Sequence, residues 1–318
     1  MTNYLIVGPA WVGDMVMAQS LFQFLRQRDP HCQIDVLAPD STLPLLSRMP
    51  EIRRAISAPF KHGELALKKR YQLACSLRAD NYDKAILLTN TVKTALIPFW
   101  ARIPIRVGGP RRVDKKKYPL MIQQFCALAL SKGEILPEIL PFPKLITPHP
   151  NPPPQGGREP ILILCPGAEY GPAKRWPPAH YAAVANAKLA DGWKVWILGS
   201  RGDAVAGEEI QHYTQNRCHN LIGKTTLLEA IDLIAQADAV VTNDSGLMHI
   251  AAAVQRQLVV LYGSTDSRFT PPLTNTAQSL SLPLACRPCF QRTCPLQHLK
   301  CLRELTPEYV LKALKTLI

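Results

Sequence analysis

The sequence predicts an α/β protein built from two Rossmann-like domains that face a cleft. Three observations carry that expectation. Short aliphatic and β-branched runs alternate with helical patterns along the whole chain, as parallel strands joined by crossover helices require. The alternation breaks once, at Thr147-Pro148-His149-Pro150-Asn151-Pro152-Pro153-Pro154-Gln155-Gly156-Gly157-Arg158, and then restarts. At 318 residues, 47 % of them hydrophobic, the chain exceeds what one core usually organises and holds apolar material for two.

In the first half, strands are expected at 4–8, 33–38, 84–89 and 103–107, and helices at 14–28, 64–79, 91–101 and 119–131. Proline removes backbone donors and fixes φ, so 148–160 reads as a linker between an N-terminal domain, 1–147, and a C-terminal one, 161–303. In the second half, strands are expected at 161–165, 194–198, 239–242 and 258–262, and helices at 178–190, 204–215, 227–235 and 246–254. Thr306-Pro307-Glu308 is a helix-start signature, so 304–318 is expected to form a helix packing near the domain junction.

The formal charge of +13 is uneven. Residues 1–150 carry 21 Lys and Arg against 11 Asp and Glu, whereas 151–318 carry 16 against 13. The excess gathers at Lys68-Lys69-Arg70 and from Arg106 to Lys117, including Arg111 and Arg112. Such a patch attracts phosphate, on a small substrate or a lipid head group; the plain alternative is a solvated loop. Aromatic residues are not interleaved with these cations, which counts against nucleic acid as a partner. The start, Met1-Thr2-Asn3-Tyr4-Leu5, has no basic leader, and no apolar run approaches the roughly 20 residues of a membrane span. A soluble, cytoplasmic protein is expected, with its nine cysteines reduced.

Ligands of open parallel sheets bind beyond the carboxyl ends of strands, so the segments following strands carry the candidate chemistry. After the first strand, Gly8-Pro9-Ala10-Trp11-Val12-Gly13-Asp14 opens a helix without the spacing of a dinucleotide fingerprint or the lysine of a P-loop. Asp14 lies where the helix dipole favours its ionised form, and Gly13 lets another molecule approach the backbone. Asp14 reads either as a general base for an attacking hydroxyl or as a helix cap. After 161–165, adjacent Lys174 and Arg175 on a long loop suit a pyrophosphate, although a surface turn would explain its glycines and prolines.

Thr242-Asn243-Asp244-Ser245-Gly246-Leu247-Met248-His249 places small and polar residues where a strand enters a helix, so backbone N–H groups at Ser245 and Gly246 can take a phosphate. Asp244 can orient sugar hydroxyls or loop donors. His249 either reaches the diphosphate or is a structural hydrogen-bonder. Asp203, in Gly199-Ser200-Arg201-Gly202-Asp203, sits where an acidic residue accepts ribose hydroxyls, and Gly263-Ser264-Thr265-Asp266 is a weaker candidate for the same cleft. Cys286, Cys289, Cys294 and Cys301, with His298 among them, read as a possible structural zinc site outside the transfer chemistry, in a spacing that matches no common zinc or iron–sulfur pattern.

Three of these motifs, Trp11-Val12-Gly13-Asp14-Met15, Cys165-Pro166-Gly167-Ala168-Glu169 with Gly171 to Pro177, and Thr242 to His249, resemble glycosyltransferase family 9, in its heptosyltransferase II branch. The similarity extends through Pro44 to Pro50 and Phe269 to Leu273, nearly the whole chain. The resemblance implies a GT-B fold and an inverting transfer of heptose from ADP-heptose to the first heptose of the lipopolysaccharide inner core. The acceptor is then of the heptosyl-Kdo2-lipid A type. Of the site residues, it implies Asp14 as catalytic base and Lys174 on the phosphates. Glu169 and Tyr170 fall on donor-contacting positions, where the related heptosyltransferase I has threonines. Asp203 falls on the ribose position, Thr225 near the adenosine, and Asp244, Ser245, Gly246 and His249 on the donor loop.

In this reading no cofactor is required, since ADP-heptose is a substrate. Arg175 assists Lys174. Gly13, Lys69, Arg70, Arg111 and Arg112 serve the phosphorylated acceptor, and the enzyme is peripheral to the inner leaflet of the bacterial inner membrane. Two other readings stay open. A sugar-nucleotide epimerase would consume ADP-heptose without an acceptor. A non-catalytic polyanion-binding protein would gain no saturable, ADP-dependent protection against unfolding.

Overall fold

The computed structural model describes residues 1–60, 63–110, 113–148 and 158–317, so Arg111, Arg112 and most of the expected linker lie outside the described residues. The chain forms two compact units, Met1–Lys144 and Leu145–Ile318.

The first unit runs β1 (Asn3–Val7), α1 (Val12–Arg28), β2 (Gln33–Ala38), β3 (Arg54–Ser57), α2 (Leu67–Ser76), β4 (Lys84–Leu87), α3 (Val92–Trp100), β5 (Ile105–Gly108) and α4 (Met121–Ala127). Its sheet has the order β3-β2-β1-β4-β5, with every pairing parallel. Helix α1 buries a nearly continuous run from Met15 to Leu25. Leu5, Val7, Leu37, Leu87 and Ile97 fill one core of this unit.

The second unit runs β6 (Ile161–Cys165), α5 (Pro178–Ala190), β7 (Lys194–Ile197), α6 (Ala204–Tyr213), β8 (His219–Asn220), α7 (Leu227–Gln236), β9 (Ala239–Asn243), α8 (Gly246–Ala253), β10 (Gln257–Leu261), β11 (Ala277–Leu280), α9 (Lys300–Arg303) and α10 (Pro307–Leu317). Its sheet order is β11-β10-β9-β6-β7-β8, again all parallel. β6 and β9 are buried at all five positions, as strands covered on both faces must be. Thr226 caps α7 through a reciprocal pair with Glu229, and Pro178 and Pro307 open α5 and α10. Helix α10 packs on α5, β10 and β11 within this unit.

Both sheets repeat one topology. The chain steps outward from a central strand, β1 or β6, then returns to that strand's other side as β4 or β9. Loops leaving β1 and β4, or β6 and β9, diverge at this reversal and open a crevice beyond the strand ends. The segments after β1, β6 and β9 are the ones in which the sequence places Asp14, Lys174 and Asp244.

Candidate active site

Asn243, the last residue of β9, sets the frame of the second unit's switch point. It is fully buried, and its side chain clips both ends of the loop that follows β6. Its Nδ2 donates to the Pro166 carbonyl at 2.7 Å, while its Oδ1 accepts from the Trp176 backbone N–H at 3.1 Å. Trp176 is buried, donates through Nε1 to the Leu305 carbonyl at 2.7 Å and packs edge-on against Tyr181. The interior of the loop, 168–174, is thereby hung over the crevice from a fixed base.

Lys174 and Asp244 meet there. The Lys174 ammonium donates to Asp244 Oδ2 at 2.6 Å, and Thr265 Oγ1 donates to the same oxygen at 2.6 Å. The Asp244 side chain is 4 % exposed and that of Lys174 12 %, so the pair is largely withdrawn from water and weakly screened. Asp244 thus orients donors in the loop. The next residue, Ser245, precedes α8 without capping it through its side chain, which leaves the first-turn N–H groups of an eight-residue helix turned toward an incoming anion.

His249 lies in α8 and is buried, with no hydrogen-bond partner at Nδ1. Burial lowers its pKa to about 4, reinforced by the Lys174 charge and opposed by Asp244. It is a neutral imidazole at ordinary pH.

Tyr170 brings two cations together at the loop. Its ring lies 4.8 Å from the Lys174 ammonium and 5.3 Å from the Arg292 guanidinium, and its hydroxyl donates to the Phe290 carbonyl at 2.6 Å. Arg292 also accepts the Ala173 N–H at its own carbonyl, 3.0 Å away. A Cβ at Gly171 would come within 3.1 Å of that carbonyl carbon, so the close approach of the two segments requires glycine. Sequence reasoning missed Arg292 and assigned no role to Asn243, although Asn243 stood inside the Thr242-Asn243-Asp244 motif; Thr265 belongs to the Gly263–Asp266 segment that the sequence offered as a weaker candidate.

The remaining donor candidates take distinct places. Glu169 is exposed. Arg175 donates through Nε to the Ala168 carbonyl at 3.2 Å and lies 3.7 Å from Asp203 Oδ1. Asp203 is largely buried; its Oδ2 accepts from the Ser200 N–H at 2.9 Å and hydroxyl at 2.8 Å, while Oδ1 faces Arg175. Thr225 is half-buried in the turn before α7.

In the first unit, Gly13 and Asp14 occupy the first turn of α1, half-buried, after a Trp11 that provides no side-chain cap. Lys69 is exposed and 3.8 Å from Glu64. Arg70 departs from the acceptor role expected of it. It is buried, donates to the backbone carbonyls of Leu65 and Glu64 and stacks 3.9 Å from the centre of the Phe60 ring. Its cation holds the entry to α2 rather than facing a ligand.

The four cysteines also differ from a ready zinc site. Cys286, Cys289, Cys294 and Cys301 line one cavity with His298, but among the described residues no group of three or more His, Cys, Asp or Glu side chains is placed to hold a metal ion. Burial and the neighbouring thiols push the Cys301 pKa up, keeping it a thiol. Nor is any helix among the described residues long and apolar enough to cross a membrane.

Two parallel-sheet units, with a lysine–carboxylate pair beside an uncapped helix start at a switch point, define an α/β enzyme of the nucleotide-binding class. The chain belongs to glycosyltransferase family 9, the heptosyltransferases, whose model matches residues 70–300. It is 46 % identical over 308 residues to the lipooligosaccharide heptosyltransferase 2 of Haemophilus influenzae, covering 88 % of each chain. It is 42 % identical to the lipopolysaccharide heptosyltransferase 2 of Escherichia coli K12, over 99 % of this chain and 98 % of that one. The solved structure of the E. coli ADP-heptose lipopolysaccharide heptosyltransferase II superposes with a TM-score of 0.86 at 39 % identity, covering 100 % of this chain and 98 % of that one. The architecture accordingly is that of a GT-B glycosyltransferase.

Proposed function

We propose that this protein is an inverting glycosyltransferase that moves L-glycero-D-manno-heptose from ADP-heptose to the first heptose of the lipopolysaccharide inner core. The observation that carries the reading is the Lys174–Asp244 pair beside the start of α8, in a chain 42 % identical to heptosyltransferase 2 over nearly its full length. ADP-heptose is a substrate here, and no cofactor enters the chemistry.

An acceptor hydroxyl attacks the anomeric carbon of the donor. The new C–O bond forms as the bond to the phosphate oxygen breaks, with its electron pair leaving on ADP, and Asp14 takes the hydroxyl proton. Lys174, assisted by Arg175 and the Ser245 and Gly246 amides, turns from Asp244 to the diphosphate and neutralises the charge growing there. Such a departure depends above all on that electrostatic stabilisation. Asp244, released from the lysine, accepts from hydroxyls of the donor sugar. Glu169 and Tyr170 border the donor, Asp203 takes the ribose through its remaining oxygen, and Thr225 lies toward the adenosine. Exposed Lys69, with Gly13, Arg111 and Arg112, serves a phosphorylated, lipid-borne acceptor, and the enzyme works peripherally at the cytoplasmic face of the inner membrane.

The test is mass-spectrometric detection of heptose added to a mono-heptosylated core acceptor, with wild type and Asp14→Asn. The variant is expected to lose about 10²–10⁴-fold in kcat while keeping its melting temperature and ADP affinity. Near-normal transfer by a folded Asp14→Asn protein would show that another group accepts the proton.

A further inference from the structure

The first unit exposes large apolar side chains where two helices meet. On α2, Leu67 and Tyr71 are one turn apart and 45 % and 47 % exposed; on α3, Val92 and Phe99 are two turns apart and 66 % and 58 % exposed. Tyr71 and Trp100 join the helices edge to face, with ring centres 5.7 Å apart. A soluble monomer seldom leaves neighbouring helices apolar on their solvent side unless that side meets something.

Charge identifies what it meets. Residues 65–79 and 84–113 contain no Asp or Glu at all, yet hold Lys68, Lys69, Arg78, Lys93, Arg102 and Arg106. The cations lie among the rings: Arg106 is 5.6 Å from the centre of Phe99 and Arg78 is 5.9 Å from that of Tyr71. Folding therefore supplies the aromatic–cation mixture that the basic stretches lack in sequence. Aliphatic Leu67 and Val92 offer nothing to a nucleobase but gain from the acyl boundary of a bilayer, and Tyr and Trp favour its interface.

We propose that this α2–α3 face of the first unit is a docking surface for an anionic lipid bilayer, with the apolar side chains entering the interface and the cations on the head groups. The inference deepens the proposed function by naming the surface that meets the membrane, yet stands on its own measurements.

The full-length protein is to be sedimented with phosphatidylcholine vesicles, with and without phosphatidylglycerol. The wild type is expected to bind the anionic vesicles more tightly and to release them as salt rises. Leu67→Gln with Phe99→Gln should weaken binding by about tenfold or more through lost apolar burial, with unchanged melting temperature and unchanged transfer to a soluble, lipid-free acceptor. Lys68→Glu with Arg102→Glu should remove the preference for anionic vesicles. Binding unaltered by both pairs overturns the proposal. So does a face that these pairs show to hold RNA or a second copy of the chain instead of vesicles. Absence of transfer by a wild-type protein that binds vesicles as described would overturn the catalytic reading and leave the surface standing.

Discussion

Lys174 and Asp244, 70 residues apart in the chain, share a 2.6 Å ion pair at the switch point of the second sheet, and Thr265 donates to the same carboxylate oxygen. The lysine proposed to turn to the diphosphate is thus held, before a donor arrives, by a largely buried partner. Removing one member of such a pair strands the other, at a cost of about 3–5 kcal/mol. Lys174→Met should lower the melting temperature and weaken ADP binding by at least about tenfold. Adding Asp244→Asn should restore much of the stability by discharging the stranded carboxylate but leave ADP binding weak. Calorimetric unfolding and ADP titration on the wild type, both single variants and the double variant check this; recovery of both quantities would place the diphosphate elsewhere.

Arg292 shares the Tyr170 ring with Lys174 and is expected to add a second charge to the diphosphate. Arg292→Gln should weaken ADP about tenfold, in line with one charge-assisted hydrogen bond, and leave adenosine binding unchanged. Arg292→Lys should recover part of the loss. Equal losses for ADP and adenosine would show that the residue only supports the loop.

Gly167 lies against the Asp203 carboxyl so closely that a Cβ there would overlap all three of its carboxyl atoms. Gly167→Ala should drive Asp203 from its hydrogen bonds with Ser200, at about 1–3 kcal/mol, and weaken adenosine binding. In an Asp203→Ala background the same substitution should cost little further stability, which thermal melts of the cycle would reveal.

His249 makes stability depend on acid. Its folded pKa of about 4 lies below its ordinary 6.5, so folding favours the neutral form. Its contribution is complete above pH 6.5 and is lost as pH falls from 6.5 toward 4. His249→Gln should flatten the fall in unfolding free energy across that window by up to about 1.4 kcal/mol per pH unit. Urea titrations at several pH values measure it, and parallel curves for the two proteins would remove His249 as the cause.

The central strands were legible because a strand buried on both faces must be a short apolar run, as Ile161–Cys165 is. The three missed strands are peripheral or short. Arg54–Ser57 begins with two exposed residues, His219–Asn220 is only two residues long, and Ala277–Leu280 is a half-polar edge. Motif residues such as Lys174 and Asp244 were visible because strand ends followed by glycine and small residues are local features. The contacts that set their geometry were not, since Thr265 with Asp244, Arg292 with Tyr170 and Trp176 with Asn243 pair distant parts of the chain. Arg70 illustrates the converse: one more cation of a basic run in sequence, it is revealed as a buried loop support only by the Phe60 ring and two carbonyls around it. The acid-free stretch 84–113 was fully present in the sequence, but the apolar side chains beside it come together only through the packing of α2 on α3.

Because a single amide, that of Asn243, fastens the segment after β6 at its two roots, the residues strung between Pro166 and Trp176 hang from one fixed mount. Glu169, proposed to border the donor, is exposed and can be varied without disturbing the sheet beneath, whereas Tyr170 is tied to Phe290 through its hydroxyl. Loss of Asn243 would release both attachments together, so the placement of Lys174 and the integrity of the second unit would fail at one position.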